Sequence, residues 1–361
     1  MKRNIEKIWS VEFLRTVFCL MVIFYHVTQG SLIPYTQSSL AYKKLSIACA
    51  NMGFVVECFF IISGYFLMGF LRNKPNAEFL PFLWGKICRL WPVFLVSTIV
   101  THFMTHGIWQ DTFINALFLQ LTGLTFSFRG INWYVSSLFC SLVFYFLVAK
   151  SIGLQYRRNF VILLCCWGAY VLNMQSHPPQ GFGREIVHGF FSLGLLRGIA
   201  GVGWGILLNE FVHAIRGKIS TRPTLQFTIL MTVVEAFSLW LLIEHLFMRG
   251  LSCKSHFILV VAFSALLPCL VLKLGLVSRA LNQKWLGCFG KYTYSMYVMQ
   301  QTGFWILQQT IWIRADFVSE HMVPCLIVSV VIPAAIGILA YYCIEVPGRK
   351  LLECVERMSQ R

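Results

Sequence analysis

The stretch IWSVEFLRTVFCLMVIFYHV, residues 8–27, decides how the rest of the chain is read. Twenty mostly apolar residues, at about 1.5 Å of helical rise each, match the roughly 30 Å hydrocarbon core of a bilayer. The preceding Met1-Lys2-Arg3 resembles the start of a signal peptide, yet the run is long and lacks a small-x-small cleavage site, so an uncleaved membrane helix is expected. Arg15 and His26 lie inside it, eleven residues apart. Eleven steps of about 100° return to nearly the same face, roughly 16 Å further along. Ionisable groups at membrane depth are costly and usually face a protein interior or a water-filled cavity. Arg15 could instead snorkel to the headgroups, and His26 could anchor at the interface beside Tyr25. A functional reading of the spacing is one elongated ligand touched at two depths.

Working outward, 57% of the 361 residues are hydrophobic and 12% charged, with apolar runs from end to end and no polar half. The fold class expected is an all-α polytopic membrane protein, a single integral-membrane domain over 1–361 without a separate soluble part. Ten spans are predicted: 8–27, 46–71, 81–103, 132–149, 159–174, 188–210, 225–247, 256–275, 293–313 and 322–344. With both termini cytoplasmic, 21 of the 30 Lys and Arg fall in inner loops and tails and seven outside, leaving Arg15 and Arg197 within spans. The positive-inside rule selects that orientation. The net charge of +16 is spread in twos to fours between apolar spans, a topology signal that excludes a nucleic-acid partner. Segment 105–130 contains the apolar piece 113–128, but a crossing there would turn every later basic loop outward. It is therefore expected to be re-entrant or interfacial, roofing a site on the outer side.

Thirteen cysteines form no Cys-x-x-Cys or Cys/His ligand pattern, so no metal is expected, and most read as small core residues. Gly-rich phosphate loops, nucleophile elbows and His-Glu-x-x-His are absent. Among the charges inside the spans are Glu57 in GFVVECFFIISGYFL, Arg197 in LLRGIAGVGWG and Glu235 in the seventh span. Glu57 is either a partner for His26 or Arg15 or a structural hydrogen-bonding group. Arg197 is either paired with Glu235 or a substrate contact. Ser63-Gly64 removes bulk for a close neighbour. Lys86 and Arg89, three apart at the inner start of the third span, share a face that could bind phosphates or simply anchor the helix.

Five patches now make a pattern. EFLRTVFCLMVIFYH contains Arg-x10-His, ECFFIISGYFL contains FF-x-x-SG, KICRLWPVF has basic-x-x-Arg-x-x-Pro, NWYVSSLF opens a span with Trp-Tyr, and YYCIEVPGRKLL carries Ile-Glu-x-Pro. Together they resemble membrane acyltransferase family 3, integral-membrane O-acyltransferases of bacterial surface carbohydrates, nearly end to end. Two departures stand out. Lys86 replaces the usual first arginine of Arg-x-x-Arg, giving a point charge instead of a flat bidentate fork. Gln300 stands in YTYSMYVMQ where the family often has histidine, so that histidine's role does not transfer.

The resemblance implies a multi-pass protein of the plasma or inner membrane. Its co-substrate would be cytoplasmic acyl-CoA, most often acetyl-CoA, and its acceptor a hydroxyl of an envelope carbohydrate or glycolipid on the outer side. On that reading Arg15, Lys86 and Arg89 bind the CoA phosphates, His26 is the catalytic residue with Glu57 orienting it, and Trp133, Tyr134 and Arg197 contact the acceptor. An unperturbed imidazole, with pKa about 6.5, is mostly neutral at pH 7 and can accept a proton. Direct attack and a transient acyl-histidine both remain open. The alternative class is a carbohydrate or small-molecule transporter using the same intramembrane charges, against which the lack of an internal repeat argues.

Overall fold

The computed structural model describes residues 7–31, 40–121, 132–174, 186–187, 191–219, 224–247, 253–313 and 315–359. These form helices α1 (Trp9–His26), α2 (Leu40–Cys49), α3 (Val55–Asn73), α4 (Phe79–Thr105), α5 (Trp109–Ala116), α6 (Trp133–Ser151), α7 (Gln155–Met174), α8 (Leu193–Arg216), α9 (Leu225–Phe247), α10 (Cys253–Leu272), α11 (Leu276–Leu281), α12 (Lys284–Gly287), α13 (Thr293–Gln308), α14 (Ala315–Glu320), α15 (Met322–Ala340) and α16 (Val346–Ser359). Two antiparallel strands of two residues, Ile186–Val187 and Phe191–Ser192, complete the regular structure. The protein is an all-α polytopic membrane protein.

Eight helical stretches among the described residues are long and apolar enough to cross a bilayer, against ten predicted. Their positions correspond to the predicted spans except the fifth and the ninth. Helix α7 has the length but carries Arg157 and Arg158 in its first turn. Helix α13 has only 16 residues, about 24 Å of rise. The segment expected to be re-entrant holds no spanning helix over 105–121. The chain leaves α4 through His106 at φ 48°, forms the eight-residue α5 and buries Phe118. Residues 122–131 lie outside the described residues.

The fold divides into two units interleaved in sequence: Met1–Val55 with Phe211–Tyr294, and Val56–Glu210 with Ser295–Arg361. In the first, α9 and α10 form an antiparallel hairpin and α1 packs on α10, α11, α12 and the 3₁₀ turn Cys288–Tyr292. Gly287 and Gly290 allow this approach, because a Cβ on either would overlap the Trp9 backbone or the Glu12 side chain.

The second unit is held together by small residues. A Cβ at Gly64 would overlap the carbonyl oxygen of Val202, and one at Gly205 that of Ile61. Helices α3 and α8 therefore run backbone against backbone, in the small-residue packing that substitutes for hydrophobic drive inside lipid. On its other side, α8 meets α6 through Gly198, whose Cβ would strike Ser137 and Ser141. Ser137 Oγ donates to the Gly194 carbonyl at 2.6 Å and Tyr145 to that of Ile199 at 2.8 Å. Far along the same helices, Glu210 receives Arg72 at 3.1 Å and Arg158 at 3.0 Å. Helices α13 and α15 repeat the device, with Gly303 against Pro333 and Gly337 against Met296.

Backbone cannot step aside as a flexible side chain can, so Gly64→Leu and Gly205→Leu should each lower stability by about 3 kcal/mol or more, or prevent accumulation. Gly168, with open space around its would-be Cβ, is the control: Gly168→Ala should be neutral or stabilise by up to about 1 kcal/mol. Denaturation of the purified protein in detergent reads both.

Candidate active site

Helix α1 is continuous from Trp9 to His26, so the eleven-residue spacing holds and Arg15 and His26 lie within about 20° of each other around the axis. Cys19, Val22 and Ile23 share that stripe and all are buried. Arg15 and His26 are themselves half-buried. Past His26 the helix widens into a π-helical turn, Val27–Ser31. Such turns recur at functional sites, where they re-aim side chains.

Arg15 is anchored by its own helix. Nη1 donates to both Glu12 carboxylate oxygens at 3.2 Å and Nη2 to Thr293 Oγ1 at 3.2 Å. Nε and the second hydrogen of Nη2 have no partner among the described residues. The i,i+3 spacing of Glu12 and Arg15 was visible in the sequence; the contribution of Thr293, 278 residues away, was not. His26 sits edge-on to Tyr25, ring centroids 5.2 Å apart. Tyr25 packs with Cys49 and Met52, and Gly53 leaves room for its ring. The His26 imidazole makes no hydrogen bond to any described residue.

In the second unit, Arg197 Nε donates to Glu57 Oε1 at 2.5 Å, both side chains nearly fully buried. The Arg197 guanidinium lies over the Trp133 ring at 4.9 Å, a cation–π contact strengthened by desolvation. Tyr134 continues the cluster, 4.7 Å from Phe60 and 5.1 Å from Tyr297 between ring centroids. Four expected site residues, Glu57, Trp133, Tyr134 and Arg197, thus meet in one buried group. Sequence reasoning had weighed Glu235 as the partner of Arg197. Glu235 instead accepts backbone N–H groups of Gly275, Val277 and Ser278 at 2.9–3.1 Å, at the start of α11, where amide donors are otherwise orphaned.

Lys86 and Arg89 occupy one face of α4. Lys86 is half-buried with its ammonium 5.3 Å from the Phe82 ring centroid, whereas Arg89 is exposed. No group of three or more His, Cys, Asp or Glu able to hold a metal occurs among the described residues.

A family model for the acyltransferase domain matches residues 8–343. The chain belongs to membrane acyltransferase family 3. No curated protein and no solved structure matches it. As an acyltransferase the chain gains meaning at its end. Its terminal Ile-Glu-x-Pro lies on a second π-helical turn, Tyr341–Glu345, with Glu345 buried and accepting from Ser295 Oγ at 2.5 Å. Gly348 then brings α16 against Pro92 of α4. Gln300 is fully buried; its Nε2 donates to the Tyr297 carbonyl at 2.8 Å and its Oε1 has no partner among the described residues. Sequence reasoning did not single out Ser295, although it lies in the YTYSMYVMQ stretch.

Breaking a buried pair leaves an uncompensated charge. Arg197→Met should therefore destabilise the acyltransferase by about 3–5 kcal/mol, and adding Glu57→Leu should recover most of the loss. A double-mutant cycle on detergent-purified protein measures this.

Proposed function

We propose that this acyltransferase moves an acyl group, acetyl in the simplest case, from cytoplasmic acyl-CoA to a hydroxyl of an envelope carbohydrate or glycolipid at the outer side of the membrane. The observation that carries the reading is the buried stripe of α1. It presents a guanidinium with unused donors and an imidazole without hydrogen bonds among the described residues, about 16 Å apart, a length comparable to the pantetheine arm between CoA phosphates and thioester.

In this reading the membrane orientation has both termini cytoplasmic. Arg15 meets a CoA phosphate, and Lys86 and Arg89 supply further positive charge toward the inner side. His26 accepts the proton of the acceptor hydroxyl as its oxygen attacks the thioester carbonyl. The carbon–sulfur bond then breaks, and the CoA thiolate leaves and takes up the proton from the imidazolium. A second route has His26 attack first, forming an acyl-imidazole that the hydroxyl resolves. Glu57, held by Arg197, contributes by fixing the Trp133–Tyr134 wall, whose aromatic faces suit the C–H faces of a sugar ring.

The test is acyl transfer by reconstituted protein. His26→Ala should lose about 10²–10⁴ in kcat, the usual worth of a positioned acid–base, with normal membrane insertion. Lys86→Ala should raise the KM for acyl-CoA with little change in kcat, and a defect confined to the acceptor would refute its role. Label retained on protein given donor alone, and lost in His26→Ala, distinguishes the acyl-histidine route. Vectorial sugar movement without acyl-CoA would replace this reading with transport.

A further inference from the structure

The guanidinium of Arg15 is fixed from two sides within the first unit. Nη1 donates to both carboxylate oxygens of Glu12 and Nη2 donates to Thr293 Oγ1, each at 3.2 Å. Thr293 is itself committed. Its hydroxyl proton goes to the Gly290 carbonyl at 2.9 Å, so it is a lone pair of the same oxygen that meets Arg15. The Thr293 carbonyl accepts from Cys19 Sγ at 3.4 Å, one turn further along α1. Both residues are buried, so this contact ties Thr293 to the helix that carries the guanidinium.

The turn before Thr293 also touches the carboxylate. Gly290 lies against Glu12, where a Cβ would overlap Oε2. The segment 290–293 thus meets both members of the Glu12–Arg15 pair, the acid through Gly290 and the base through Thr293. A guanidinium has five N–H donors in one plane. With Nη1 turned to Glu12 and one Nη2 hydrogen to Thr293, the Nε–Nη2 edge is the one left with donors among the described residues. The Arg15 side chain keeps 19% of its surface exposed, whereas Arg197, closed off by Glu57, keeps 5%.

We propose that Thr293 is a positioning residue for donor binding: it holds the Arg15 fork so that the Nε–Nη2 edge takes one phosphate of CoA side-on, through two hydrogen bonds. The proposal rests on the acyl-CoA reading above. Its physical basis is pre-organisation. A long arginine stem loses much rotamer freedom when a ligand orders it, and less when the protein has ordered it already. Glu12 alone leaves the guanidinium free to turn about its Nη1 contact, and a second anchor on Nη2 fixes the plane. Bidentate arginine–phosphate contacts depend on that plane. A hydroxyl supplies the anchor without charge, whereas a second carboxylate there would cancel the attraction for an incoming phosphate.

Full-length protein in detergent is titrated calorimetrically with CoA and with pantetheine, which lacks the phosphates, and the ratio of the two affinities is the readout. The wild type should bind CoA more tightly. Thr293→Val, nearly isosteric but without the acceptor, should lower the ratio about tenfold by weakening CoA alone, and Thr293→Ser should keep it. Should the valine protein not fold, Thr293→Ala carries the same expectation. Arg15→Lys, which has no fork, should lower the ratio too, and adding Thr293→Val to it should lower it no further, the coupling expected of a residue that acts through Arg15. The positioning role is overturned if Thr293→Val keeps the wild-type ratio, if Thr293→Ser loses it, or if the valine change lowers it equally beside Arg15→Lys. Equal weakening of CoA and pantetheine also overturns it, as the mark of a merely structural residue. Those four results leave acyl-CoA standing as the donor, whereas a wild type that binds CoA no better than pantetheine overturns the phosphate contact and its positioning together.

Discussion

Glu57 and Arg197 set the terms for the second unit. Taking two charges out of water costs several kcal/mol for each ion, and only close, well-directed contact offsets it. That contact requires α3 and α8 to approach backbone to backbone, so Gly64, Gly201 and Gly205 are conditions of the ion pair as much as of packing. On the other side of α8, Gly198 lets α6 close on it, which lays the Trp133 ring under the guanidinium. One electrostatic requirement thereby fixes the positions of two aromatic residues that carry no charge.

What the sequence revealed followed its range. The stripe of α1 depends on helix periodicity alone, so its geometry was readable from residues 8–27, as was the small-residue character of Ser63-Gly64 and of LLRGIAGVGWG. The Glu57–Arg197 pair spans 140 residues and is decided by which helices touch; depth in a span offered Glu235 to Arg197, and His26 or Arg15 to Glu57. Glu235 misled because a carboxylate at membrane depth was assumed to require a cation. Three backbone N–H groups at the start of a helix serve the same need, and periodicity gives no sign of them. Helices α7 and α13 rest on local apolarity: the first carries two arginines in its first turn and the second has 16 residues, so neither is among the eight stretches long and apolar enough by themselves.

The departures from the family pattern also have local physical content. Lys86 lies along an aromatic ring, as an ammonium on a flexible stem can, whereas a guanidinium would need a planar partner to use its fork. Gln300 satisfies its donor within its own helix and leaves one acceptor inward. An imidazole in its place could donate or accept at that point according to tautomer, whereas an amide oxygen can only accept. The exchange removes a titratable group from α13 while retaining a buried polar atom.

Within each unit the buried polar groups sort into two kinds. Arg15, Arg197, Glu57, Glu210 and Glu235 are matched by opposite charge or by aligned backbone dipoles, so their cost is met by the protein itself. His26, Asn115, Gln120 and Gln300 are neutral or able to be neutral, and retain unused bonding capacity. Unpaired neutral groups are tolerable at depth where unpaired ions are not. A membrane enzyme that must bring an alcohol out of water gains from this division: paired charges hold the frame, and an uncommitted neutral group can meet a hydroxyl without importing a counter-ion. In the proposed reaction, this division suits an uncharged hydroxyl meeting the His26 imidazole.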